Sequence, residues 1–239
     1  MKIDYAIVSC DDNKTYSDFW PIVKKLWFKL IGIKPVLVKI TDHTNTEIFD
    51  DCIIHNIKKV DGINTGFQSQ ISRMYITKFY KDSVCITSDI DMLPLSKKYF
   101  VDDLEKYNQE NFLILSSDAY QIMKRFPICY NVAKGYLFDD ILNIENNFED
   151  YCKKLYNFNN SWDCDELYFG KKIYEYNNQN NIIKINRGWE FGRAIGRIDR
   201  VFWKYDDKKL SNGEYIDCHS LRPYSKYFTE VDKILNIVL

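Results

Sequence analysis

The stretch Ile86-Thr87-Ser88-Asp89-Ile90-Asp91-Met92-Leu93-Pro94 decides how the chain is read. Val84, Cys85 and Ile86 precede the acid pair as the apolar run of a buried parallel strand would. Pro94 stops the segment soon after. Extended residues i and i+2 project to the same side, so Asp89 and Asp91 are expected to converge on one point just past the strand's end. Two carboxylates that close repel unless a proton or a cation lies between them. A divalent ion answers this, and oxygen ligands suit Mg²⁺ or Mn²⁺. Open α/β sheets bind ligands outside the carboxyl ends of their strands. An isolated Asp-x-Asp pair is also what a solvated turn presents, so the surrounding chain has to decide.

Working outward, Tyr5 to Cys10 reads as a first strand followed by the loop Asp11-Asp12-Asn13. Phe19, Ile22, Val23, Leu26, Trp27 and Leu30 recur at helical spacing and predict a helix over 17–31, ended by Gly32. Residues 35–40 predict a second strand, and this β-α-β order implies parallel pairing with a right-handed crossover. Further expectations are strands over 52–57, 112–115, 130–138 and 182–185. Helices are expected over 69–80, 99–107, 147–158 and from the acid-rich run 161–166 to about Tyr176. The remainder, with Trp189, Trp203 and His219, reads as irregular. The fold class expected is α/β, with a mixed, mainly parallel, Rossmann-like sheet flanked by helices. A single domain over 1–239 is expected, with a nucleotide-binding half over 1–100 and an acceptor half over 101–239.

The 239 residues are 46% hydrophobic, enough for a large core, and the net charge of −1 predicts no broad nucleic-acid or anionic-membrane surface. The seven cysteines are scattered, odd in number and without a CxxC pair, as in reduced intracellular proteins. Asp4 stands where a signal peptide needs an apolar run, and no stretch reaches the length of a membrane span. A cytoplasmic protein is expected.

A second motif is Asp217-Cys218-His219-Ser220-Leu221-Arg222-Pro223-Tyr224. Neutral imidazole ligates transition metals, and Arg222 can set a fixed positive charge on a diphosphate beside such an ion. Taken alone, the pair reads more readily as a loop histidine with a solvated arginine. The run Trp162-Asp163-Cys164-Asp165-Glu166 crowds acids at a helix start, where the helix dipole and an N-cap explain one or two of them without chemistry. Gly188-Trp189-Glu190-Phe191-Gly192-Arg193, with Arg197 and Arg200, suits a mobile flap over a phosphate, or a surface loop plugged by its tryptophan.

Asp-x-Asp after a hydrophobic strand, followed late by a histidine, a basic residue, proline and an aromatic, resembles the GT-A fold glycosyltransferases. The Arg222-Pro223-Tyr224 tail resembles glycogenin-like members, at shorter spacing. Ile7-Val8-Ser9-Cys10-Asp11-Asp12-Asn13 and Ser88 to Phe100 resemble the small glycosyltransferase domains of large algal viruses, for which the cytoplasm would be the host's. The resemblance implies a UDP-sugar donor, a glycan or glycoprotein acceptor, and Mn²⁺ (or Mg²⁺) held by Asp89, Asp91 and His219. Asp89 would also face the ribose. Ser9, Cys10, Asp11, Ser88 and Ile90 would line the nucleotide pocket, with Arg73 and Arg222 reaching the sugar or phosphates. Glycosyltransferases of this fold commonly carry an acid-rich segment where Asp163, Asp165 and Glu166 stand. Asp165 is favoured as the reactive carboxylate, then Glu166, then Asp163. Trp162, Trp189 and Arg193 would serve the acceptor or a flap. The glycogenin-like tail tilts the expectation toward retention of anomeric configuration. Two rivals stay open. A nucleotidyltransferase would need a Gly-rich basic loop after the first strand, whereas 10–14 is acidic and lacks glycine. A non-catalytic carbohydrate-binding module would bind sugars without turnover.

Overall fold

The computed structural model describes residues 1–120, 124–190 and 192–239. Along the chain, β1 (Tyr5–Cys10) leads through α1 (Lys14–Ser17) to α2 (Trp20–Lys25), which runs on as a π-helical turn over Leu26–Ile31. Pro21 sits in the first turn of α2, where its missing N–H costs nothing. Gly32 ends the helix with φ of 85°, a left-handed geometry that favours glycine. Then follow β2 (Lys34–Thr41), β3 (Asn45–Ile48), β4 (Ile53–Lys58), α3 (Thr65–Tyr75), β5 (Val84–Thr87), β6 (Met92–Pro94), α4 (Lys97–Phe100), β7 (Phe112–Ile114), β8 (Asn131–Lys134), α5 (Gly135–Leu142), α6 (Phe148–Phe158), α7 (Cys164–Glu175) and β9 (Ile182–Lys184). The last part carries β10 (Trp189–Glu190), β11 (Arg193–Ala194), β12 (Arg197–Asp199), α8 (Asp207–Ser211), β13 (Asp217–His219) and α9 (Tyr224–Val238).

The main sheet has the order β3-β4-β2-β1-β5-β8-β7-β9 and draws strands from both halves of the sequence. β4, β2, β1 and β5 pair in parallel, as do β7 and β9. β3, and β8 against both its neighbours, run antiparallel. This is the mixed, mainly parallel α/β class that the β-α-β reading predicts. Alternate residues of β1 feed two cores. Ile7 packs with Ile71, Met74, Phe138 and Phe169 on one face. Ala6 and Val8 pack with Phe19, Trp27, Phe100 and Tyr130 on the other. Both faces are therefore covered, which is why the strands read as apolar runs. A small sheet of order β12-β13-β6 lies beyond the end of β5.

Several elements differ from the sequence reading. The strand expected over 130–138 stops at Lys134, and α5 begins at Gly135. A Cβ on Gly135 would run into the backbone carbonyls of Thr77 and Tyr80, so only glycine lets the chain turn there. Leu137, Phe138, Ile141 and Leu142 are buried at helical, not alternating, spacing. The helix expected over 99–107 is two short turns, Lys97–Phe100 and Asp102–Leu104, divided at Val101. The helix expected over 69–80 starts earlier, capped by the Asn64 side chain on the Gly66 and Phe67 amides. β3 has no buried residue, so no apolar pattern announced it. The tail read as irregular holds β12, β13 and the long α9, whose buried contacts include Val231 and Ile234. All seven cysteines are buried and free. Among the described residues, no helix is long and apolar enough to cross a membrane.

Candidate active site

The carboxyl ends of β1 and β5 open into a cleft of about 1110 Å³, the setting in which α/β sheets hold ligands. Ser9, Cys10 and Asp11 line it at the end of β1. Burial pushes the Cys10 thiol up to about 12, so it stays neutral. The Thr65 hydroxyl donates to Asp11 Oδ2 at 2.8 Å, fixing that carboxylate against the start of α3. Asp89, Ile90 and Asp91 line the floor. Ser88 is buried behind them and its carbonyl accepts from Arg73.

Asp91, from the middle of the chain, and His219, from near its end, meet here. Pairing of β6 with β13 sets His219 opposite Met92, and the Ser220 amide donates to the Asp91 carbonyl at 3.0 Å. His219 Nε2 then stands 3.7 Å from Asp91 Oδ2. Two cis ligands of one small divalent ion are separated by about 3 Å, given bonds of about 2.1 Å. The pair is close to that spacing; its carboxylate suits Mg²⁺ or Mn²⁺, and its imidazole suits a transition metal. Asp89 is turned toward Arg73 instead, and among the described residues no three His, Cys, Asp or Glu side chains are assembled as a complete ligand set. The fit thus rests on Asp91 and His219, with Asp89 beside them.

Guanidinium groups surround these acids. Arg200 Nη1 donates to Asp91 Oδ2 at 2.9 Å, and Arg222 Nη1 lies 3.4 Å from the same oxygen. Arg222 also donates to the Tyr16 hydroxyl and lies 4.9 Å from its ring centroid. Arg73 bridges two carboxylates: it pairs with Asp89 through Nη1 and with Asp165 Oδ2 through Nη2 at 2.8 Å. Behind the cleft, Asp217 is fully buried between Arg187 (2.6 Å) and Arg197 (3.0 Å). Burial alone would raise its pKa, but the two arginines outweigh burial and hold the carboxyl far below its usual range. Two positive charges on one carboxylate leave this cluster net positive, and Arg197 lines the cleft.

The acid-rich start of α7 forms the opposite wall. Asp165 is 2% exposed, and burial raises its pKa against the pull of Arg73. Glu166 accepts from the Tyr120 hydroxyl at 2.8 Å. Burial first, then repulsion from Asp165, push Glu166 up to about 7. Asp163 accepts from Ser161 and from Arg125 at 2.6 Å, and that hydroxyl contact leads the causes that lower its pKa. Trp162 is 67% exposed at the mouth, while Trp189 lines the cleft from β10.

Arg193, expected at the acceptor or flap, is not among the residues lining the cleft and lies over the Phe202 ring at 5.5 Å. Arg197 and Arg200, further along the same segment, line the cleft in its place. Phe191 of that segment lies outside the described residues. Sequence reading missed Tyr16, Tyr120 and Arg125, whose guanidinium stacks 3.9 Å from the Tyr120 ring. It also missed the pairing of β12 with β13, which sets Arg197 opposite Asp217 and Asp199 opposite His219. The charge-matched spacings Arg197-Ile198-Asp199 and Asp217-Cys218-His219 were the available signal.

No protein-family model matches the sequence, and no curated protein matches it. The fold, however, matches solved structures. The galactosyltransferase LgtC, solved with donor and acceptor sugar analogues, is 8% identical, with a TM-score of 0.53 over 98% of this chain and 95% of LgtC. An active-site mutant of LgtC is 9% identical, with a TM-score of 0.55 over 96% of this chain and 95% of that one. The glycosyltransferase GlyE of Streptococcus pneumoniae TIGR4 is 11% identical, with a TM-score of 0.50; the match covers 99% of this chain but 63% of GlyE. At these identities the likeness is one of architecture, and the architecture is the GT-A fold of glycosyltransferases.

Proposed function

We propose that this protein transfers a sugar from a nucleoside diphosphate sugar, with UDP as the nucleotide, to a hydroxyl of a glycan or glycoprotein. The observation that carries this is the meeting of Asp91 and His219 at 3.7 Å, at the strand ends of a GT-A fold. Asp91 and His219 would hold Mn²⁺ or Mg²⁺, with Asp89 on the ribose side. When bound, such an ion supplies Lewis-acid stabilisation of the negative charge that develops on the departing diphosphate.

The chain's own residues do the rest. Arg222 and Arg200, paired with Asp91 Oδ2, would offer fixed positive charge to the leaving diphosphate once the ion takes that oxygen. Ser9, Cys10 and Asp11 bind the nucleoside end. Arg73 ties Asp89 of the donor side to Asp165 of the opposite wall, and the sugar would lie beside that bridge. Asp165 places negative charge beside the oxocarbenium-like sugar. In the retaining route the leaving phosphate takes the acceptor proton.

One observation favours the inverting route. Glu166, raised to about 7 and bonded to Tyr120, is tuned for proton transfer near neutral pH. Proton NMR of the first-formed anomer separates the two routes.

The activity is tested by Mn²⁺-dependent release of UDP from a panel of UDP-sugars with oligosaccharide acceptors. Release with one donor supports the reading. Sugar binding with no release from any donor favours a non-catalytic module.

A further inference from the structure

We propose that Asp199 is the positioning residue that fixes the tautomer of His219, directing its N–H backward and its bare nitrogen into the cleft. This rests on the metal-holding role given to His219 above. The parallel β12/β13 register sets Asp199 directly opposite His219. His219 therefore stands between two carboxylates, with Nδ1 3.7 Å from Asp199 Oδ2 and Nε2 3.7 Å from Asp91 Oδ2. A neutral imidazole has one N–H to give. Asp91 Oδ2 is already served by Arg200 at 2.9 Å and Arg222 at 3.4 Å. Among the described residues, Asp199 Oδ2 has no side-chain partner within ion-pair distance other than His219. The proton therefore belongs on Nδ1, facing Asp199 Oδ2, and the Nε2 lone pair faces Asp91. A carboxylate behind a ligating histidine fixes ring orientation and raises ligand basicity.

Asp199 is itself pinned. Its Oδ1 accepts the Val201 amide at 2.9 Å, and its carbonyl accepts the Trp203 amide at 2.7 Å. This makes Asp199→Asn a sharp perturbation. The amide oxygen stays on the Val201 N–H, and the amide nitrogen, a donor, replaces Oδ2 opposite Nδ1. Nδ1 must then accept, the ring proton moves to Nε2, and the lone pair facing Asp91 is lost.

The test is long-range ¹H–¹⁵N correlation of the imidazoles at pH 8.5 without metal, a tractable spectrum because the chain has three histidines. The wild-type protein is expected to show His219 protonated on Nδ1, and Asp199→Asn to show it on Nε2. A wild-type ring protonated on Nε2 overturns the proposal without recourse to any variant, and an unchanged tautomer in folded Asp199→Asn does the same. Calorimetric titration with Mn²⁺ forms the second arm, with an expected loss of affinity of about 10- to 100-fold in Asp199→Asn. Equal Mn²⁺ affinity in the two proteins overturns the positioning role and leaves the metal reading standing. A wild-type protein with the Nδ1 proton but no Mn²⁺ binding instead removes the metal reading and upholds the Asp199 contact.

Discussion

Replacing Arg73 by methionine removes a guanidinium that ties the two walls of the cleft. Its side chain is 9% exposed, and the side chains of its partners differ: that of Asp165 is 3% exposed and that of Asp89 37%. A pair as exposed as Arg73–Asp89 contributes about 0–1 kcal/mol. Stripping the partner from a buried ion costs about 3–5 kcal/mol, so nearly all of the expected loss comes from Asp165. Set against a typical total of about 5–15 kcal/mol, this is a large destabilisation. It also depends on pH. Burial already raises the Asp165 pKa while Arg73 opposes it, so removing Arg73 raises it further. A carboxyl whose folded pKa lies above its unfolded value loses stability as pH rises through that window. The deficit is therefore largest at pH 8 and shrinks toward pH 5. Urea denaturation followed by tryptophan fluorescence measures it. In the double variant Arg73→Met/Asp165→Leu most of the loss should be recovered, giving a coupling of about 2 kcal/mol or more. A deficit below about 1 kcal/mol at pH 8, or additivity within about 0.5 kcal/mol, would refute the buried bridge.

Other outcomes follow from the same geometry. Asp91→Asn should cut Mn²⁺-dependent UDP release by about 10²- to 10³-fold while thermal unfolding stays cooperative; full activity in that variant removes the metal role. Glu166 is raised from 4.5 to about 7 with its side chain 21% exposed, so at about 1.4 kcal/mol per unit it costs up to about 3 kcal/mol above pH 7. Glu166→Gln should therefore be more stable than wild type at pH 8, with the advantage fading toward pH 4.5; thermal unfolding across that range reads it, and a constant difference contradicts the assignment. Gly135→Val should destabilise by about 1–3 kcal/mol through its contact with the Thr77 and Tyr80 carbonyls, measured by urea midpoint; an unchanged midpoint would show that the turn has room.

What was legible in the sequence depended on burial. The strands β1, β2 and β5 sit inside a sheet covered on both faces, so each is an apolar run with its own turn signals, and the parallel order follows from β-α-β spacing. The acid pair lines the cleft floor but does not converge as an extended strand end would: β5 stops at Thr87, residues 90–91 turn, and Asp89 pairs with Arg73 while Asp91 pairs with Arg200. β3 was not legible, since all of its residues are exposed and its edge pairing with β4 leaves no pattern. The tail was not legible either. β12 and β13 are three residues each and held by charges across the register, a tertiary fact that no local periodicity encodes. The switch at Gly135 was misread because Val132, Ala133 and the following apolar residues suit strand and helix alike until packing against Thr77 decides. The roles of Tyr120 and Arg125 depend on a loop approaching α7, which only the folded chain displays.

The proposed ion site is one point in space, between Asp91 Oδ2 and His219 Nε2. Crystals grown with manganese and UDP, measured at the manganese absorption edge, locate the ion directly. The predicted result is one anomalous peak bonded to both atoms and to phosphate oxygens. Manganese found elsewhere, or a diphosphate bound through Arg200 and Arg222 with no ion at that point, would contradict it.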